Sequence, residues 1–143
     1  MNLTRLSPSY AVPRMESGKG NVLVVDDEDP IRELVAYVLE HHGYTVFRAK
    51  HSREALFLHS GFLGTFHLLF TDICMQPHDD GFTLARALRR ERPELRVIYA
   101  SGFVEPDRLR HEVEESGALF LPKPFTPSEI LDCVHRSLMP SAV

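Results

Sequence analysis

Short apolar runs of strand length alternate with amphipathic segments along most of this chain. The first run, residues 22–25, is continuous and mostly β-branched, a pattern typical of a strand that is buried on both faces. The segment after it carries apolar residues at helical spacing, at Ile31, Leu34, Val35, Val38 and Leu39. Later runs predict further strands at 44–49, 67–71, 96–100 and 118–121. Five strands alternating with five helices indicate a parallel sheet with helices on both faces.

Residues between these segments predict where helices begin and end. Asp29 is expected to cap the first helix, and Gly43 to end it in a left-handed conformation. The fourth helix opens at Pro106 and has an apolar stripe of only two residues, Leu109 and Val113. A helix with so little apolar surface is predicted to be weakly anchored and to shift at low cost.

The length of 143 residues suits one domain with a hydrophobic core, which we place at 20–139. Residues 1–19 show no apolar period, so they are predicted to form a mobile N-terminal tail, and residues 140–143 a C-terminal tail. Apolar residues make up 43% and charged residues 25%, as in an ordinary globular protein. No second domain is predicted, so the chain is expected to act without an output domain.

Charge and cysteine content argue against several classes of function. The formal net charge is -4 and no long basic run is present, so binding to nucleic acid is not expected. No apolar stretch approaches the roughly 20 residues of a membrane span, and the N-terminus lacks the apolar core of a signal peptide. Cys74 and Cys133 provide neither a disulfide framework nor a metal-binding spacing. A reduced, cytoplasmic location is therefore predicted.

Polar side chains follow four of the predicted strands at the points where those strands end. Asp26 and Asp27 follow the first, Asp72 the third, Ser101 the fourth and Lys123 the fifth. Because the carboxyl ends of parallel strands share one sheet edge, these groups are expected to form one site. Clustered carboxylates suit a hard divalent cation, magnesium above all where a phosphoryl group binds. The set as a whole matches phosphoryl transfer to a carboxylate.

At residues 21–138 the sequence resembles the receiver domains of two-component response regulators. The acidic pair Asp26 and Asp27, the later Asp72, Ser101, and Lys123 followed by proline match that family's motifs in order. The resemblance implies a doubly wound, flavodoxin-like α/β fold whose five-stranded parallel sheet has the strand order 2-1-3-4-5. It also implies a cis peptide bond after the lysine.

The resemblance implies a role for each residue of the predicted magnesium site. Asp72 would be the phosphoacceptor. Asp27, Asp72 and the main-chain carbonyl of Cys74 would bind Mg²⁺ directly, and Asp26 would act mostly through water.

Two further residues gain roles in the phosphoryl site and its switch. Lys123 and Ser101 would hold the phosphoryl oxygens. Phe120, three residues before Lys123, would rotate inward as Ser101 moves towards the phosphate.

One segment departs from the receiver pattern. Receivers usually have proline four residues and glycine eight residues after the phosphorylated aspartate, whereas here Pro77 and Gly81 each come one residue later. The loop 75–81 beside Asp72 is therefore predicted to contain a one-residue insertion.

The predicted function is a phosphorylation switch rather than an enzyme, with only autocatalytic phosphotransfer and self-dephosphorylation. The phosphoryl donor would be a histidine kinase or a histidine phosphotransfer protein, and the signal would pass to a downstream protein target. One alternative is a small phosphatase of the haloacid dehalogenase type, for which Asp27 and Asp29 superficially supply the required Asp-x-Asp, although no cap domain is present. A second is a pseudo-receiver that only binds partners, against which the complete acidic set argues.

The residues beside the predicted water path suggest that the phosphorylated state is long-lived. In receivers the positions two after the phosphorylated aspartate and two after the hydroxyl residue flank this path, and here they are Cys74 and Phe103. Neither side chain orients a water molecule as an amide or carboxylate does. Slow self-dephosphorylation is predicted, with Phe103 as the main shield. In the alternative, Phe103 turns away and packs against the fourth helix.

Overall fold

The computed structural model describes residues 18–76 and 78–139. Most of the predicted N-terminal tail, Pro77 and the predicted C-terminal tail lie outside these ranges. The elements in chain order are β1 (Asn21–Val25), α1 (Asp29–His41), β2 (Thr45–Ala49), α2 (Ser52–Gly61), β3 (Leu68–Asp72), β4 (Cys74–Met75), β5 (Asp79–Asp80), α3 (Gly81–Glu91), β6 (Arg96–Ser101), α4 (Pro106–Ser116), β7 (Leu119–Pro122) and α5 (Pro127–Leu138).

Five strands form one parallel sheet in the order β2-β1-β3-β6-β7. Counted over this sheet alone, the order is 2-1-3-4-5, so the predicted doubly wound α/β fold is confirmed. β1 and β3 lie side by side within the sheet, and every residue of both is buried. Such burial explains their continuous apolar sequences.

Two hydrophobic clusters, one on each face of the sheet, hold the helices in place. One contains residues of α1 and α5, such as Val35, Leu39, Ile130 and Val134. The other contains residues of α2 and α3, such as Ala55, Leu84 and Leu88. The sheet edge that carries the site is therefore supported from both faces.

The start of α1 differs from the prediction. Asp29 is the first helical residue rather than the cap, and its carboxylate pairs with Arg32 at 2.7 Å. Glu28 occupies the N-cap position without a side-chain capping bond, and its N–H donates to Asp26 Oδ1 at 2.9 Å. Asp26 thereby fixes the turn between β1 and α1. At the other end Gly43 has a φ of 96°, the left-handed conformation expected there.

The segment with the extra residue folds into a small antiparallel hairpin, β4–β5, that the apolar pattern did not predict. Cys74 faces Asp80 and Met75 faces Asp79 across it, and His78 in its turn has a φ of 55°. Gly81 closes the hairpin against β3, because a Cβ at this position would overlap the Asp72 carbonyl oxygen.

Helix α4 is as weakly anchored as its sequence indicates. The structure describes α4 in full, and its one buried residue is Glu112, a charged side chain. Leu109 is half-buried against the core, and Gly117 ends the helix with a φ of 73°. The helix is therefore held with little apolar burial.

Candidate functional site

The carboxyl ends of β1 and β3 bring the predicted acidic residues together. One carboxylate oxygen from each of Asp26, Asp27, Glu28 and Asp72 lies within 4.8 Å of the others. Glu28 was not among the predicted site residues, although its position directly after the acidic pair was a visible signal. The structure thus gathers four carboxylates where the sequence predicted three.

Burial and mutual repulsion make Asp72 an unusual carboxyl group. Its side chain is almost completely buried beside Asp26. Burial first, and then the negative charge of Asp26, raise the pKa of Asp72 to about 7. Burial also raises the pKa of Asp26 above its ordinary value. Without a cation, the pocket therefore favours retention of a proton.

Lys123 supplies the positive charge at this edge. Its Nζ lies 3.0 Å from Asp26 Oδ2, 3.4 Å from Glu28 Oε2 and 3.5 Å from Asp72 Oδ1. Burial acts to lower the pKa of Lys123, but the carboxylates around it, led by Asp26, raise the pKa above its usual value. The bond from Lys123 to Pro124 is cis, as predicted.

Ser101 ends β6 and is buried at the same edge, but its hydroxyl is engaged by the following loop. Ser101 Oγ donates to the Phe103 carbonyl at 2.7 Å and accepts from the Phe103 N–H at 3.2 Å. The Phe103 side chain is 79% exposed, so it does not pack against α4 as the alternative supposed. Phe120 is half-buried on β7 against the core. The predicted switch roles of Ser101 and Phe120 stay predictions.

The β4–β5 hairpin borders the pocket on the remaining side. The Gln76 N–H donates to Asp27 Oδ2 at 3.0 Å, which ties the hairpin to the acidic pair. The Cys74 side chain is exposed, and the predicted role belongs to its main-chain carbonyl. The hairpin therefore contacts a predicted metal ligand directly.

The donor set fits a hard divalent cation. One ammonium group faces four carboxylates, so the fully ionised cluster keeps an excess of negative charge. Asp26 Oδ2 is buried and, among the described residues, has no well-aligned hydrogen-bond partner, although Lys123 Nζ lies nearby. Unneutralised carboxylate oxygens on one sheet edge are the ligands that Mg²⁺ prefers.

Comparison with known proteins connects this geometry to a family. The family model for the response regulator receiver domain matches residues 22–135 of this chain. The sensor kinase CckA of Brucella abortus is 35% identical over 122 residues, which cover 85% of this chain and 13% of that protein. The transcriptional regulatory protein FixJ of Azorhizobium caulinodans is 32% identical over 121 residues, covering 85% of this chain and 56% of that protein.

Solved structures show the same fold. The chemotaxis response regulator CheY4 of Vibrio cholerae has a TM-score of 0.72 and 30% identity, covering 83% of this chain and 98% of that one. A receiver domain from the hybrid histidine kinase CckA has a TM-score of 0.70 and 33% identity, covering 84% of this chain and 100% of that one.

The chain matches only part of the length of the two sequence relatives. The chain spans only 13% of CckA and 56% of FixJ. In the parts of the chain that the structure describes, no helix combines the length and apolarity needed to cross a membrane. The family match, the sheet order and the acidic pocket agree with one another. The chain belongs to the response regulator receiver domains, which are phosphoacceptor signalling modules of two-component systems rather than classic enzymes.

Proposed function

We propose that this chain is a phosphorylation switch in which Asp72 accepts a phosphoryl group from a phosphohistidine. The observation that carries the proposal is the placement of Asp72, buried at the end of β3 within reach of the acidic pair and 3.5 Å from Lys123. A buried carboxylate beside a movable ammonium is arranged for in-line attack on phosphorus.

The transfer exchanges one bond for another. An Asp72 carboxylate oxygen attacks the phosphorus, the P–O bond forms and the P–N bond to the donor imidazole breaks, with the electron pair leaving on nitrogen. Attack requires the ionised carboxylate, although the pKa of Asp72 is about 7. Lys123, 3.5 Å from Asp72 Oδ1, favours that ionised form.

Asp27, Asp72 and the Cys74 main-chain carbonyl would hold Mg²⁺, with Asp26 acting through water. When bound, the cation would neutralise the clustered carboxylates and the charge on the phosphoryl oxygens. Lys123 would turn from Asp26 towards a phosphoryl oxygen.

Ser101 would be the second contact to the phosphoryl group and the start of the switch. Its hydroxyl donates to the Phe103 carbonyl, so it must exchange that acceptor for a phosphoryl oxygen. This exchange would free the loop between β6 and α4. Phe120 would then move inward on β7.

The proposed partners are a histidine kinase or histidine phosphotransfer protein as donor and a downstream protein as target. A sensor kinase and a transcriptional regulatory protein are both among the relatives. The formal charge of -4 gives no support for direct contact with nucleic acid. We therefore place the signal in protein–protein contacts of the receiver domain, within the cytoplasm.

The test is incubation with acetyl phosphate and Mg²⁺, followed by intact-mass measurement. Wild type should gain one phosphoryl group that hydroxylamine removes, and Asp72→Asn should gain none. Asp27→Asn should label slowly and need more Mg²⁺, because it removes a metal ligand but not the acceptor. Omission of Mg²⁺ should reduce labelling of wild type.

Two results would contradict the proposal. Equal labelling of wild type and Asp72→Asn would remove Asp72 as the acceptor. Steady hydrolysis of p-nitrophenyl phosphate that depends on Asp27 would instead favour the phosphatase alternative.

A further inference from the structure

We propose that Asp80 is a positioning residue that ties helix α4 to the loop carrying the phosphorylation site. It does so through an ion pair with Arg108, in which Arg108 Nη2 lies 2.9 Å from Asp80 Oδ2. We call this ion pair the α4 latch. Because Asp80 lies at the end of the β4–β5 hairpin, the ion pair would make α4 responsive to changes at the site.

The first link of the argument runs from the site to the hairpin. The hairpin is bonded to the acidic pair through the Gln76 N–H and Asp27 Oδ2, 3.0 Å apart. At its base the Gly81 N–H donates to the Ile73 carbonyl at 2.8 Å, and Gly81 packs without a side chain against the Asp72 carbonyl. A movement of the hairpin would therefore change contacts to Asp27 and to the main chain at Asp72.

The second link is the double role of the Asp80 carboxylate. Oδ1 accepts from the Thr83 N–H at 3.0 Å and caps α3, whereas Oδ2 binds Arg108 of α4. Burial acts to raise the pKa of Asp80, but the bonds from Thr83 and Arg108 outweigh it and lower the pKa. The guanidinium of Arg108 also lies over the Phe82 ring, 4.7 Å from its centroid. One carboxylate thus joins β5, α3 and α4.

The third link is the small number of other contacts that hold α4 among the described residues, chiefly Leu109 against the core and two contacts from arginines of α3. Glu112 is the one buried residue of α4, all of whose residues are described, and it pairs with Arg86 of α3. Among residues 18–76 and 78–139, Arg110 pairs only within its own helix, with Asp107 at 3.1 Å. Because α4 buries so little apolar surface, its ion pairs to α3 and to the hairpin contribute a larger share of what holds it. Of these, only the α4 latch begins at the hairpin.

The connection to phosphorylation rests on the proposed function. A cation bound by Asp27 and the Cys74 carbonyl would act on the hairpin at two points, at Cys74 itself and, through Asp27, at the Gln76 N–H in the turn. Asp80 lies directly opposite Cys74 on the second strand. Site occupancy and α4 position are then coupled, and such coupling is reciprocal.

Hydrogen exchange measured by mass spectrometry on residues 109–116 tests the α4 latch. Asp80→Asn keeps the α3 cap, since asparagine caps as well as aspartate, but weakens the ion pair. Arg108→Gln removes the charge from the other side. Both should exchange about two- to fivefold faster in α4, the range for a partly exposed ion pair. The matched control Arg110→Gln removes a charge from the same helix and should leave inter-helix anchoring unchanged.

Equal α4 exchange in Asp80→Asn, Arg108→Gln and Arg110→Gln would overturn the latch. The coupling is tested by adding Mg²⁺, which should change α4 exchange in wild type and change it less in both latch variants. An identical α4 response in wild type and latch variants would overturn the coupling. If Mg²⁺ leaves even residues 73–81 of wild type unchanged, the proposed metal site fails, while the latch is still judged on exchange without Mg²⁺.

Discussion

At the scale of single residues, Phe103 is the side chain that we predict to control how long the phosphorylated state persists. Its main chain holds the Ser101 hydroxyl beside the site, while its ring is 79% exposed. We expect Phe103→Glu to speed loss of the phosphoryl group by about tenfold, below the 10²-fold of a well-placed general base. The physical reason is that a carboxylate orients the attacking water, whereas a phenyl ring does not. The measurement is decay of phosphorylated protein in excess Mg²⁺ without partners.

A matched control separates this effect from added charge. Phe57 on α2 is 75% exposed, so Phe57→Glu makes the same substitution away from the site and should leave decay unchanged. Cys74→Asn should speed decay less than Phe103→Glu. Unchanged decay in folded, phosphorylated Phe103→Glu would disprove the shield.

Individual site residues were predictable where a strand positions them. Asp26 and Asp72 follow apolar runs whose ends must meet at one sheet edge, so their proximity could be derived from the sequence. Glu28 was not predicted because it lies in the turn after β1 and not at the strand end, and its flexible side chain reaches Lys123 from there. The bond from Ser101 to the Phe103 main chain depends on loop geometry that no residue pattern encodes.

At the scale of elements, the close approach of the β4–β5 hairpin to β3 makes Gly81 sensitive to substitution. A Cβ there would overlap the Asp72 carbonyl oxygen and lie 3.1 Å from Thr71 side-chain atoms. We expect Gly81→Ala to lower the free energy of unfolding by roughly 1–3 kcal/mol, because backbone must move to relieve the overlap. Chemical denaturation followed by circular dichroism measures this change.

Gly61→Ala is the control for the added methyl group. Gly61 ends α2 and has open space where its Cβ would be, so alanine there should be neutral or slightly stabilising. Equal free energies of unfolding for Gly81→Ala and Gly61→Ala would contradict this prediction, because they would mean that the backbone at the base of the hairpin moves at no cost in stability.

Long periodic elements were predicted well and short ones were not. The bounds of the main-sheet strands differ from prediction by about one residue. The two-residue strands β4 and β5 are too short to show any period, so the sequence revealed only an extra residue there. Asp29 was assigned as a cap on residue type alone, but the chain turned into α1 one residue earlier.

At the scale of the whole molecule, the alternation of strands and helices was enough for the class of fold, because parallel strands need crossover connections on the sheet faces. The strand order came from the family resemblance and is the order observed. The inward position of Asp72 between two buried strands also follows from this topology. The burial of Asp72 should make the stability of the whole domain depend on pH.

The apo protein should become less stable as pH rises towards 7, and Asp72 should be the main cause. Burial and Asp26 raise the pKa of Asp72 in the folded state from 3.8 to about 7. The folded state therefore binds that proton more tightly than the unfolded chain does, so the free energy of unfolding falls as pH rises between those values. His67 acts in the opposite direction, because burial lowers its pKa in the folded state.

Comparison with Asp72→Asn isolates the contribution of Asp72 from that of His67. In a chelating buffer, wild type should lose roughly 1–3 kcal/mol relative to Asp72→Asn between about pH 5 and about pH 8. Asp107→Asn is the control, since its carboxylate is 87% exposed and lies on α4, and it should follow wild type throughout. Parallel stability curves for wild type and Asp72→Asn would mean that neither burial nor repulsion by Asp26 raises the folded-state pKa of Asp72. Because the same repulsion is what a divalent cation would relieve, excess Mg²⁺ should bring the wild-type curve close to that of Asp72→Asn at the upper end of the pH range.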